Sequence, residues 1–345
     1  MISPVHQYIN RETVQPLKEK LYADWAIRFL YSRAREDTSF LFKVLTSRKM
    51  SSLLGFLNFD LPLLPWMTRN FISKVGIDLS GCLDPLESLD TFRKIFERKI
   101  TYWETRPMPQ EKGVIVSPSD SRVLLGSLGR MSSLFVKEKF FDLQTLLGKD
   151  KQAWLGAFQG GDYAIFRLTP DQYHYNHTPV AGRVVDFYEI PGAYHSCNPG
   201  ALIAVAHPHS KNKRVVTVLD TDVEKGTGAG FVAMIEVVAL MIGDILQAYS
   251  EHHYDDPRPI SRGMFLNQGR PKSLFRPGSS TVILIFQKGR TEFCPDLISN
   301  RKSRLAQNRY STAWKIPLVE TDVKVRSPVA IAVQKNRKGD IFDRA

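Results

Sequence analysis

The residues Phe275-Arg276-Pro277-Gly278-Ser279-Ser280-Thr281-Val282-Ile283-Leu284-Ile285-Phe286 are of types that could carry chemistry. A Gly-Ser-Ser-Thr turn runs directly into an apolar, β-branched strand. In such a turn a serine hydroxyl can reach the carbonyl of the peptide bond before it. Gly278 tolerates backbone angles that other residues resist, and strain of that kind concentrates at functional sites. An N→O acyl shift followed by β-elimination would cut the chain and leave a pyruvoyl group on the new N-terminus. The ketone of that group is an electron sink, the property that decarboxylation of an amino acid requires. Taken alone, the same residues also read as a hairpin turn built of small side chains.

Three further segments hold reactive side chains. Val116-Ser117-Pro118-Ser119-Asp120-Ser121-Arg122-Val123 places the Asp120 carboxylate in a turn between two strands, where aspartate is also an ordinary turn residue. Asp171 to Val180 carries His174 and His177 among aromatics, just before Pro179. Histidine exchanges its proton near neutral pH and serves as general acid or base. Two histidines at this spacing also suit a metal, but further ligands are lacking nearby, since His195 and Cys197 stand isolated. Ile190 to Pro199 is a turn-rich loop able to wall a pocket. A Ser, a His and an Asp from separate loops can form a triad in which the Asp orients the His and the His activates the Ser.

These loops need a scaffold. From Val114 onward the chain alternates short β-rich runs with Gly, Pro and Asn: 114–116, 123–125, 163–168, 182–190, 214–219, 231–242 and 281–286. Many short strands with turn signals predict a mostly antiparallel β core, a barrel or sandwich. Residues 231–242 are a continuous apolar run and are assigned to a strand pair or one long strand. Residues 300–325 are polar and basic and read as a loop or short insertion, and the last ten residues as frayed. Upstream, residues 17–110 read as mainly helical, with Trp25, Phe29, Leu30, Phe40, Leu41, Val44 and Leu45 at helical spacing. The expected fold class is α+β, an N-terminal helical layer (1–110) on a β-rich catalytic core (111–345).

Composition narrows the partners. The chain has 345 residues, 43% of them hydrophobic, enough for a sizeable core. Lys and Arg total 47 against 35 Asp and Glu, a net charge of +12, which favours an anionic partner. The basic residues are dispersed without an aromatic-interleaved motif, so nucleic acid is not expected. The three cysteines form no CxxC pair and point to a reducing compartment. Neither a secretory signal nor a membrane span is visible. Ser51 to Trp66 is nevertheless densely apolar, flanked by Lys43, Arg48, Lys49, Arg69 and Lys74. That composition suits a segment lying in a lipid interface, and equally a helical layer packed on the core.

Read together, these segments resemble the phosphatidylserine decarboxylase family from about Phe92 to about Arg326. Phe92-Arg93-Lys94-Ile95-Phe96-Glu97-Arg98 with Arg106-Pro107 resembles the family's opening motif, and Ser117-Pro118-Ser119-Asp120 its S-P-A-D-G turn. Tyr173-His174 through His177, with Pro179 and Gly182, resembles D-Y-H-R-x-H-x-P-x-x-G. Pro191-Gly192 with Ser196 and Asn198-Pro199 resembles P-G-x-L-x-S-V-N-P. Asn212 to Arg214 with Asp220-Thr221, and Phe286 to Arg290 with Asp296-Leu297, complete the series. Each piece is short, and their order and spacing make the set specific.

The resemblance implies a self-processing enzyme that decarboxylates phosphatidylserine to phosphatidylethanolamine through a Schiff base on its own pyruvoyl group. Asp120, His177 and the cleavage serine would form the processing triad, and His174 would exchange a proton during decarboxylation. Two departures stand out. Ser121 replaces the glycine after Asp120, where a positive backbone angle would be costlier for serine. The cleavage motif reads Gly-Ser-Ser-Thr, so Ser280 is favoured as pyruvoyl precursor, with Ser279 as the alternative. Cleavage would leave chains 1–279 and 280–345. The resemblance also implies a homodimer of processed chains, and with the charge and apolar N-terminal third it implies peripheral binding to an anionic membrane, on its cytoplasmic face. The competing readings are a pyruvoyl-dependent decarboxylase of a soluble, for example aromatic, amino acid, and an unprocessed lipid-binding module.

Overall fold

The computed structural model describes residues 5–21, 24–25, 27, 31, 47, 59–129, 140–239, 244–277 and 280–333. Gly278, Ser279, the apolar residues 51–58, most of the expected helical positions between 22 and 58, and the last twelve residues lie outside the described residues.

A ten-stranded sheet organises the molecule. Its strands are β1 (Gln7–Asn10), β2 (Pro16–Lys18), β4 (Ser121–Ser127), β5 (Asp162–Leu168), β7 (Gly182–Ile190), β8 (Arg214–Asp220), β9 (Phe231–Val237), β11 (Phe265–Leu266), β13 (Ser280–Phe286) and β15 (Thr321–Val323). They lie in the order β11-β7-β8-β9-β13-β5-β4-β15-β1-β2. Every pairing in this sheet is antiparallel except β1 with β15. Two three-stranded sheets accompany it. One joins β10 (Ile245–Gln247), β12 (Pro271–Phe275) and β6 (Tyr175–His177), and the other joins β14 (Thr291–Phe293), β16 (Pro328–Ala332) and β3 (Val114–Val116).

Alternation along the strands explains the layering. Val282, Leu284 and Phe286 project to the face shared with Phe166 and Met234, which packs on Ile115, Ile245, Phe275 and Val329 of the small sheets. Ile283 and Ile285 project to the other face with Ile165, Val216 and Ile235, beneath Leu143, Leu146, Phe158, Leu202 and Tyr310 of the helical segments. Both faces are covered, so β13 is buried from end to end and reads as an apolar run from Val282 to Phe286. Each such fully buried Ile, Leu or Phe contributes roughly 1.5–3 kcal/mol. The Lys272 ammonium donates to the Glu236 carboxylate at 2.7 Å, both groups wholly buried, and ties β12 to the central sheet.

The architecture is therefore mixed α+β and mostly sheet, as expected. The sheet order ends on β11 and β2 and does not close, so a barrel is not formed among the described residues. Residues 300–325 correct the expectation of a loop. Helix Pro295–Arg301 ends there, helix Arg309–Trp314 follows, and β15 enters the central sheet. At the N-terminus β1 and β2 form a hairpin on the sheet edge, while helices occupy Pro65–Val75, Phe92–Phe96 and Tyr102–Thr105. Short strands of this kind carry little periodicity of their own and exist because a neighbour supplies the hydrogen bonds.

Candidate active site

The chain leaves β12 in a small sheet and enters β13 at the centre of the large one, so residues 276–279 link two sheets. Ser280 opens β13, directly opposite Leu168 of β5. It is fully buried, and its hydroxyl has no hydrogen-bond partner among the described residues. A buried hydroxyl left in that state costs about 1–3 kcal/mol.

The segment that carries the histidines brackets this link. Leu168 faces Ser280 on the downstream side, and the His174 carbonyl accepts the Phe275 N–H at 3.1 Å on the upstream side. Between them, the Thr169 N–H donates to the Gln172 side chain (2.8 Å) and the Gln172 N–H to the Thr169 carbonyl (3.0 Å). Arg98 grips the same loop from outside through the Asp171 carbonyl at 3.0 Å. His174 is buried, with Nδ1 2.8 Å from the Gln172 carbonyl and its ring edge-on to Phe96 at 5.1 Å. A nitrogen facing a carbonyl must carry the hydrogen, so in the neutral ring Nε2 holds the lone pair.

His177 closes β6 opposite Pro271, and its N–H donates to the Pro118 carbonyl at 2.7 Å. That bond seats the Asp120 turn beside it. Nδ1 lies 3.0 Å from the Gly269 carbonyl and Nε2 3.0 Å from Tyr173 Oη. Gly269 has φ +71, and a Cβ there would stand 2.4 Å from Met108 Sδ, so only glycine presents this carbonyl without strain. Burial pushes the His177 pKa down to about 3. The Gly269 carbonyl and the Asp120 charge oppose that shift, and Arg326 and Arg270 add to it. The ring is neutral at pH 7 and able to accept a proton.

Asp120 is the anion of the site. Burial would raise its pKa, but the Arg106 guanidinium, bonded to both oxygens at 3.1 and 2.8 Å, and the Val325 N–H at 2.7 Å hold it below the ordinary carboxylate range. Among the described residues Asp120 makes no direct hydrogen bond to His177, and it acts on the ring through space. Ser121 simply opens β4, and the positive φ considered for that position does not occur. Ser279 lies outside the described residues, so only Ser280 of the two candidate serines has a described environment.

Several contributors were not assigned roles from sequence. Arg106 stood in the opening motif without a partner. Tyr173 was a motif letter without a task. Tyr254, which joins Tyr173 through a hydroxyl contact of 2.7 Å, carried no sequence signal at all. The Ile190–Pro199 loop is anchored elsewhere: the His195 N–H bonds the Asn212 side chain and the Ser196 N–H the Tyr31 hydroxyl, each at 2.8 Å. A second buried cluster, His6, Glu19 and Glu320, is cross-linked by Arg167, which bonds both carboxylates.

Comparison with known proteins identifies the family. Residues 92–309 match the model of the family described as phosphatidylserine decarboxylase. A phosphatidylserine decarboxylase proenzyme of Ruminiclostridium cellulolyticum is 30% identical over 298 residues, covering 86% of this chain and 92% of the relative. One from Bordetella petrii is 32% identical over 240 residues, 66% of this chain and 80% of the relative. A third, proenzyme 2 of Oryza sativa, is 33% identical over 231 residues, 66% of this chain but 34% of that longer protein. The class is that of the carboxy-lyases made as proenzymes. Within it, the chain belongs to the phosphatidylserine decarboxylase family.

Proposed function

We propose that this protein decarboxylates phosphatidylserine to phosphatidylethanolamine and that it makes its own prosthetic group from Ser280. The observation that carries the reading is the buried Ser280 hydroxyl at the head of the central strand, without a described partner and bracketed by the histidine segment. His177, neutral and held beside the Asp120 turn, is the base. As it takes the serine proton, the serine oxygen attacks the carbonyl of residue 279 and the C–N bond breaks, leaving an ester. Elimination then frees the carboxylate of residue 279, and hydrolysis of the remaining enamine releases ammonia. Asp120, kept ionised by Arg106, favours the protonated imidazole electrostatically.

The residues fit a pyruvoyl group at position 280, because the described hydroxyl is buried and makes no described hydrogen bond that the ketone would have to replace. That ketone supplies the electron sink for loss of carbon dioxide from an amine-bearing headgroup. His174, whose carbonyl accepts the Phe275 N–H upstream of Ser280, is the proposed carrier of a proton in that step.

The lipid reading draws on the surface. Leu61, Leu64, Trp66 and Met67 are exposed around the start of helix Pro65–Val75, with Arg69 and Lys74 exposed beside them. Behind them Phe71 packs on Phe92 and Phe96, and Phe96 on His174. An apolar path therefore runs from an exposed face to the site. No helix of the described residues is long and apolar enough to cross a membrane. This face is the membrane-binding layer of the proposal, peripheral and on the cytoplasmic side, where the three free cysteines are in keeping with a reducing compartment. Binding to anionic vesicles should weaken as salt rises. A homodimer of processed chains is a separate expectation, checked by light scattering.

Intact mass spectrometry tests the core of the reading. Two chains, 1–279 and 280–345, with the shorter one blocked by pyruvoyl, are expected. A split one residue earlier would transfer the role to Ser279. A single uncut chain of 345 residues from active protein would overturn the proposal. Ser280→Ala should remain uncut and inactive.

A further inference from the structure

His177 stands in a row of polar groups that ends on a backbone carbonyl at each side. Its Nδ1 faces the Gly269 carbonyl and its Nε2 faces Tyr173 Oη. Tyr173 Oη lies 2.7 Å from Tyr254 Oη. Tyr254 Oη in turn donates to the Ile100 carbonyl at 2.9 Å and accepts the Ile100 N–H at 3.1 Å. The terminal carbonyls can only accept. The row thus contains four gaps, each calling for one proton, between Gly269, His177, Tyr173, Tyr254 and Ile100. A neutral imidazole and two phenols supply three. With the Tyr254 proton turned to Ile100, Tyr173 donates to Tyr254, and His177 must carry hydrogen on both nitrogens to fill what remains.

We infer that Tyr173 and Tyr254 are positioning residues of self-cleavage, completing a hydrogen-bonded row that is one proton short while His177 is neutral and fully satisfied once His177 holds the serine proton. This rests on the reading of His177 as the base. The transfer breaks the Ser280 O–H bond and forms an N–H bond on His177. The oxygen keeps the electron pair and turns it on the carbonyl of residue 279. The proton then passes to the departing nitrogen of residue 280, and the row returns to three protons. No oxidant or reductant takes part. Burial opposes an added charge on this ring, and the row offsets part of that cost. The other groups facing the ring are Asp120, which favours the imidazolium, Arg270 and Arg326, which oppose it, and the Tyr102 ring, edge-on at 4.6 Å with His253 beyond it.

Tyr254→Phe removes two gaps and one proton, leaving two gaps and two protons. The neutral ring is then already satisfied, so the variant should bind the extra proton more weakly. Two readouts follow. Cleavage of freshly translated chain, followed on gels, should slow by roughly tenfold, a fraction of the 10²–10⁴ that a general base contributes. In an uncut Ser280→Ala background with ¹⁵N-labelled histidines, the His177 titration midpoint should fall by about one pH unit, a tenfold loss of proton affinity. Tyr173→Phe leaves the imidazolium Nε2–H without an acceptor and should act in the same direction, which keeps the test available if Tyr254→Phe does not fold. A lower melting temperature with unchanged cleavage and unchanged titration would mean a merely structural role and overturn the inference. His177→Gln separates the two levels. If it cleaves like the parent, the reading of His177 as base fails. If it does not cleave while both tyrosine variants behave like the parent, that reading stands and the row is dismissed.

Discussion

Two wholly buried histidines in this protein face opposite demands. His6 receives the Arg309 N–H on Nδ1 at 3.3 Å and faces the Glu320 carboxylate from Nε2 at 2.8 Å. One nitrogen accepts and the other donates, so a neutral ring fills both bonds. His177 faces a carbonyl from one nitrogen and, through Tyr173 and Tyr254, another carbonyl from the other. With a neutral ring, one contact along that row is left without a proton. Around His6, Arg167 also forks onto Glu19 and Glu320 with distances of 2.6–2.9 Å, so both carboxylates are hydrogen-bonded by one guanidinium. Burial alone therefore does not mark a reactive residue. The distinction lies in whether the hydrogen bonds around it already balance.

The largest effect should come from breaking the unbalanced member. His177→Gln should lower self-cleavage by on the order of 10²–10⁴, read as persistence of uncut chain, whereas His6→Gln should leave cleavage of folded protein unchanged. Equal losses from both would erase the contrast. The balanced cluster should instead be read in stability. Arg167→Met, made in the Ser280→Ala background, leaves two buried carboxylates uncompensated and should cost about 3–5 kcal/mol in urea unfolding. A change too small to measure would mean that water reaches the cluster.

Acid unfolding separates the same two regions by their pH windows. The His177 pKa lies at about 3 in the fold against 6.5 ordinarily, because of burial, so the unfolded chain binds the proton first. Its contribution is full above pH 6.5 and is lost as pH falls toward about 3. Glu320 is driven up by burial but more strongly down by Arg167 and His6, to about 2 from 4.5, and its contribution fades between those values. In the Ser280→Ala background, His177→Gln should therefore remove its share of the slope between pH 6.5 and 4.5, leaving that of His209, which burial also holds at about 3, and the steeper loss below. An unchanged slope in that interval would place the titration elsewhere. The smallest effect should come from Trp66→Ser on the exposed face, which should weaken vesicle binding by about 1–2 kcal/mol without touching cleavage. Lost cleavage in this variant would show that the face and the site are not separable.

Much of the scaffold was legible because covered strands leave a plain signature. Residues 282–286 and 232–235 are buried on both faces and are accordingly apolar. Residues 321–323 were not legible. Their Asp322 pairs with Arg122 across the sheet, so the strand is held by an ion pair and reads as polar loop. The strand at 7–10 was equally hidden, since it is extended through its partners β15 and β2. At the site, the residue types of Asp120, His174, His177 and Ser280 were visible, but the attachment of Asp120 to Arg106 was not. A carboxylate's partner depends on which loops meet, and the expected direct link to His177 is replaced by an electrostatic one.

By itself the sequence determined the local chemistry: a serine turn feeding an apolar strand, an aspartate turn and a histidine pair, in an order that marks the family. Those features are local because chemistry of this kind needs particular side chains at particular spacings. Only the tertiary structure decided the protonic state of the site. The row through His177 and Tyr173 is completed by residues 100, 254 and 269, drawn together from distant parts of the chain. A hydrogen-bond count is a property of contacts, and contacts between distant residues are set by packing rather than by the neighbours along the chain.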